Sequence, residues 1–172
     1  MNLETFSNTS LWLPDPKKSL EEQLLKTLYA MAVFGEARGE KLLGMEAVAQ
    51  VMTNRAKFPH VVFGSRPGKT YEENLRAVLL KPTQFSCFLS DDPNFHKLFA
   101  PLKYESTVIW MMCLSCAEAM MIAHEKDDSF TQNSDHYFDS SIQPPSWADP
   151  TKATVKIGRL NFYRIYLPRL SA

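Results

Sequence analysis

Cysteine is scarce in this chain: Cys87, Cys113 and Cys116 are the three in 172 residues. A small, odd number excludes a disulfide-stapled scaffold. Cys113 and Cys116 have CxxC spacing, but they lie inside an apolar run, where a thiol behaves as a small hydrophobe rather than a redox centre. Net charge is missing too, since 19 Lys and Arg balance 19 Asp and Glu. That balance removes the electrostatic reason to expect nucleic acid as a main partner, and with it any polybasic signal for an anionic membrane. Long hydrophobic runs are also lacking. The most apolar stretch, residues 107–123, is interrupted by Glu118 and falls short of the ~20 residues of a spanning helix. The opening segment, MNLETFSNTSLWLPDPKK, lacks the basic start and apolar core of a secretory signal. These absences predict a protein without an integral membrane segment, made in a reducing compartment and delivered by something else if its target lies outside. Four dispersed histidines and a CxxC inside an apolar run predict no metal and no cofactor. Repeats and low-complexity tracts are absent.

What is present is enough apolar content, 45%, to bury one core of ordinary size. Residues 1–18, with two prolines and no clear period, read as an arm. Residues 19–172 read as the domain. Ser19 with Glu22 makes a capping box, and Leu20, Leu24, Leu28, Met31 and Ala32 follow as a helical stripe. A second helix is predicted over residues 42–57, stopped by Pro59. Thr70 and Glu73 box a third, which ends before Pro82. Residues 106–124 read as a buried core helix, and residues 154–167 as one or two short strands. No heptad seam is evident, so a monomer is expected. The fold class is α+β, mainly α, with a small late β element.

The stretch Val61 to Thr70 looks superficially like a phosphate-binding loop. Only three residues separate Gly64 from Gly68, where the loop needs four, and Pro67 removes one N–H. A helix N-cap turn accounts for the same residues.

Gly35-Glu36-Ala37-Arg38-Gly39-Glu40 is a stronger candidate for chemistry. Glu36 follows Met31, Ala32, Val33 and Phe34, so its carboxyl is placed where the helix is still apolar. Such surroundings disfavour the charged form and make a Glu a proton donor near neutral pH. Gly35 and Gly39 are expected to leave room for something to approach that carboxyl.

With these residues in hand, the chain resembles the spore-cortex-lytic type of cell wall hydrolase, a branch of the lysozyme and lytic-transglycosylase fold. GEARGE is followed by Gly44, by Ala47-Val48-Ala49-Gln50-Val51 and by Asn54-Arg55. Further on come Gln84-Phe85-Ser86, His136-Tyr137, Pro145-Ser146-Trp147-Ala148, Ile157-Gly158 and Phe162-Tyr163, in family order. The resemblance implies a lysozyme-like domain acting on the MurNAc–GlcNAc backbone of peptidoglycan, with Glu36 as catalytic acid. Gln84, Phe85 and Ser86 are expected on one wall of a glycan groove, and His136, Tyr137 and Trp147 on another. Glu40 and Arg38 are expected to position rather than react, although a solvated charge or a helix cap explains Glu40 equally well.

The matched motifs hold no clear second carboxylate. The expected route is therefore lytic transglycosylation, with a hydrolytic muramidase or a non-catalytic wall-binding module on the same fold as alternatives. One departure stands out: the family carries His where this chain has Leu160. The missing signal fits a phage lysin.

Overall fold

The computed structural model describes residues 16–126 and 129–168. Residues 1–15, most of the expected arm, lie outside that range. Five α-helices are described: α1 (Leu20–Ala37), α2 (Leu42–Lys57), α3 (Tyr71–Leu79), α4 (Pro101–Tyr104) and α5 (Thr107–Ala123). Three strands follow the helices in part: β1 (His136–Asp139), β2 (Ala153–Ile157) and β3 (Leu160–Tyr163). They form one antiparallel sheet in the order β1-β3-β2.

Both predicted capping boxes are made. Ser19 and Glu22 close the start of α1, and Thr70 and Glu73 close the start of α3. Each satisfies two backbone N–H groups that have no partner within the helix. The Val61 to Thr70 stretch is a single 3₁₀ turn, a left-handed Gly64 and the cap of α3. That is the turn expected in place of a phosphate loop.

α1 packs against α5 and α2, and its buried face carries Tyr29, Val33 and Phe34. The Phe34 ring meets Trp110 of α5 edge to face at 5.9 Å. Burying one such side chain stabilises the fold by ~1.5–3 kcal/mol. Glu118, which interrupts the apolar run of α5, is matched by Lys18 at 2.6 Å and Lys26 at 3.8 Å. Cys113 and Cys116 are free, buried core thiols, as the sequence indicates. Among the described residues, no helix is long and apolar enough to cross a membrane.

Two elements escape sequence reading. α4 is a single turn begun by Pro101. β1 lies in a stretch rich in polar residues and prolines, without the alternation of a strand; its four residues become one only by pairing with β3. α2 makes that pairing possible. Gln50 Oε1 accepts the Thr131 N–H at 2.9 Å, Asn54 Nδ2 donates to the Ser134 carbonyl at 2.9 Å, and Arg55 Nε donates to the Asp135 carbonyl at 2.7 Å. These bonds fasten the segment that leads into β1, and so fix where His136 and Tyr137 stand.

Candidate active site

α1 ends at Ala37, with Arg38 as its cap, so Glu36 sits in the last turn. Its carboxyl faces a cleft of about 400 Å³ between α1, the 83–85 turn, the 62–63 turn and β1. Tyr137 Oη donates to Glu36 Oε2 at 3.1 Å. Burial raises the Glu36 pKa above the usual carboxylate value. Hydrogen bonds from Tyr137 and Cys87, and the charge of Arg55, offset that only in part. The result is a carboxyl biased toward its protonated form beside a solvent-reachable cleft. Burial also pushes the Tyr137 hydroxyl well above its ordinary pKa, so it stays a donor.

Gly35 explains how Cys87 comes so close. A Cβ built on Gly35 would lie 2.5 Å from both Cβ and Sγ of Cys87. The room expected at this glycine is occupied by Cys87, which reaches the Glu36 carboxyl through it. Burial moves the Cys87 thiol far above its ordinary pKa, so it remains protonated and donates to the Glu36 carboxyl. Gly39 does open outward, with nothing within 4 Å of its missing side chain.

Glu40 stands apart from Glu36. The helix stops before it, so the two do not share a helical face. Glu40 Oε1 instead accepts from Arg159 Nη2 at 2.6 Å, on the turn between β2 and β3. Gly44 permits that placement, because a Cβ there would meet Glu40 Cβ at 2.8 Å. Arg38 also lies off the cleft. It donates to Asn94 Oδ1 at 2.6 Å and pairs with Glu105 at 3.4 Å, tying the end of α1 to the following loops.

The structure brings most of the remaining sequence candidates together. Gln84, Phe85, His136, Tyr137 and Trp147 all line the cleft with Glu36. Phe85 is almost fully buried, so it forms the floor rather than a sugar-facing ring. Gln84 Nε2 is tied to the Val78 carbonyl at 3.0 Å. Ser86 is exposed and does not line the cleft. The Trp147 ring stands 4.8 Å from His136.

Sequence reasoning missed five of the cleft residues. Arg55 is buried, with its guanidinium 4.9 Å from the Phe63 ring and 5.6 Å from the Phe85 ring. Its place in Asn54-Arg55 after an apolar helical face was the available signal. Val62 and Phe63 come from the turn after α2. Thr83 has φ 65, a left-handed conformation that costs a β-branched residue ~1–3 kcal/mol. Tyr166 follows β3, stacked on His60 at 5.0 Å. Leu160, the departure from the family pattern, is buried in the core and does not line the cleft. Among the described residues, no cluster of three His, Cys, Asp or Glu is placed to hold a metal.

Comparison with known proteins agrees with this architecture. The chain shares its fold with the catalytic domain of the germination-specific lytic transglycosylase SleB from Bacillus anthracis. The TM-score is 0.51 and the identity 24%, over 88% of this chain and 100% of that domain. No curated protein matches. The family model described as Cell Wall Hydrolase matches residues 39–163, a span that begins three residues after Glu36 and takes in the other cleft residues except Tyr166. This chain belongs to the cell wall hydrolase family.

Proposed function

We propose that this protein cuts the glycan strands of peptidoglycan by lytic transglycosylation, with Glu36 as the acid. The observation that carries the mechanism is the cleft's carboxyl inventory. Among the described residues, Glu36 is the one carboxyl that lines it. Glycosidases that use water pair two carboxyl groups across the scissile bond. Glu40, the nearest candidate in sequence, is engaged by Arg159 outside the cleft.

One carboxyl suffices if the sugar supplies the nucleophile. Protonated Glu36 gives its proton to the oxygen linking MurNAc to GlcNAc. The bond from the anomeric carbon to that oxygen breaks, and its electron pair stays on the leaving GlcNAc hydroxyl. The C6 hydroxyl of MurNAc then bonds to the anomeric carbon and gives its proton to the Glu36 carboxylate, which closes the 1,6-anhydro ring and restores the acid. No water is consumed. The burial that raises the Glu36 pKa keeps the acid loaded, and Tyr137 and Arg55 stabilise the carboxylate left behind. General acid catalysis of this kind contributes ~10²–10⁴ in rate.

The aromatic surfaces of Trp147 and Tyr166 at the cleft suit the apolar faces of sugar rings. Turbidity loss of purified sacculi tests the reading. The wild type should clear them, and Glu36→Gln should be slower by ~10²-fold or more. Equal clearing by both proteins would remove Glu36 from the mechanism.

A further inference from the structure

Asp135 is buried to 0% exposure directly behind the cleft. Its carboxylate is saturated. Oδ1 accepts the Ile165 N–H at 2.8 Å and faces His136 Nδ1 at 2.8 Å. Oδ2 accepts the N–H groups of Tyr166 at 2.6 Å and Leu167 at 2.9 Å. A carboxylate has about four acceptor sites, and here each has a partner, leaving no place for a proton. Burial pushes the Asp135 pKa up, but the hydrogen bonds from His136 and the three backbone N–H groups outweigh it and hold the group below its ordinary value. Asp135 is thus an obligate acceptor, so His136 Nδ1 must carry the hydrogen that points at it.

Tautomer follows from that constraint. In a neutral imidazole one nitrogen donates and the other accepts. With Nδ1–H committed to Asp135, Nε2 is left with a lone pair. No hydrogen bond from a described residue reaches Nε2. The rings of Trp147 at 4.8 Å, Tyr166 at 5.7 Å and Phe63 at 5.8 Å flank the imidazole and fix its plane. Tyr166 is itself held by its backbone N–H to Asp135.

We propose that Asp135 is a positioning residue that makes His136 a fixed hydrogen-bond acceptor, Nε2 toward the cleft, for a hydroxyl group of the bound glycan. The ligand class rests on the glycan-cleavage reading above, whereas the tautomer does not. The same carboxylate sets the acceptor and the neighbouring Tyr166 ring, so one buried group aligns both. The logic parallels the aspartate that fixes the histidine tautomer in serine protease triads.

Two measurements test it. Nitrogen-15 NMR of the His136 ring in the intact protein, followed upward in pH until the ring is neutral, should show Nδ1 protonated and Nε2 bare. A ring protonated on Nε2 alone overturns the proposal, whatever the protein cleaves. Binding of a GlcNAc–MurNAc tetrasaccharide to the Glu36→Gln chain supplies the second. His136→Phe keeps a ring between Trp147 and Tyr166 but removes the acceptor. It should weaken binding about tenfold, the worth of one well-made hydrogen bond. His136→Gln, with an acceptor carbonyl, should recover part of the loss. Undiminished binding by His136→Phe overturns the acceptor role. No binding by any variant overturns the glycan as its ligand and counts against the parent reading, while the NMR result still decides the tautomer.

Discussion

Gly35→Ala is a sharp test of how the site is assembled. In an exposed helix interior, Ala is better than Gly by ~1 kcal/mol. At Gly35 the new Cβ would stand 2.5 Å from Cβ and Sγ of Cys87, with Leu98 Cδ2 at 3.3 Å. The Cys87 Cβ is fixed to its 3₁₀ turn, Ser86–Phe88, so relief requires that backbone to move away from α1. Overpacking of this kind costs ~1–3 kcal/mol. A contact as short as 2.5 Å puts the cost in the upper half of that range, ~2–3 kcal/mol, so the opposing terms leave a net loss of roughly 1–2 kcal/mol, or a fall in Tm of about 2–8 °C for a domain this size. Activity should suffer as well, because the displaced Cys87 is a hydrogen-bond partner of Glu36. The assay is thermal unfolding of Gly35→Ala, Cys87→Gly and the double variant. The double variant should be more stable than the sum of the singles predicts, by ~1 kcal/mol or more. A Tm that is unchanged or raised in Gly35→Ala, or additivity within ~0.5 kcal/mol, would refute the close approach.

Four further outcomes are expected. Because Glu36 must be protonated to act and its pKa is raised, the alkaline limb of the pH–rate profile should lie above the ordinary carboxylate range. Tyr137→Phe removes a bond that lowers that pKa, so the limb should move to still higher pH, and a limb that stays in place counts against the Tyr137 contact. Asp135→Asn should destabilise the fold at neutral pH. The Asp135 pKa is lower folded than its unfolded value of about 3.9, so its stabilisation is complete above that value. It is lost as pH falls through the folded pKa. Melts of wild type and variant should therefore converge in acid, and a constant gap would contradict the assignment. Glu40→Gln should keep cleavage within a few-fold of wild type, since Glu40 does not line the cleft. A loss as deep as that of Glu36→Gln would make Glu40 a second catalytic carboxyl.

Much of this was legible from local rules. The capping boxes at Ser19 and Thr70, the stripe of α1 and the buried run of α5 depend on neighbours three and four residues apart, which a sequence displays. The burial that raises the Glu36 pKa was legible in the apolar run that precedes it. What escaped depends on contacts between distant segments. β1 exists through pairing with residues more than twenty positions later, for example His136 with Tyr163. Asp135 reads as one more charge in a polar stretch until the 165–167 backbone folds over it. Cys87 reaches Glu36 only because Gly35 lets two elements touch. The need for room at Gly35 was legible, but the occupant, Cys87, was not. The partner of Glu40 was not legible either, since Arg159 comes from a turn more than a hundred residues later.

The most direct test of the central claim is the mass of the products. Purified peptidoglycan should be digested with the wild type and with Glu36→Gln, and the released fragments examined by mass spectrometry. The account predicts fragments ending in 1,6-anhydro-MurNAc, with no added water, from the wild type and none from the variant. Fragments that have gained water would contradict the lytic route, and cleavage by Glu36→Gln at the wild-type rate would contradict the assignment of the acid.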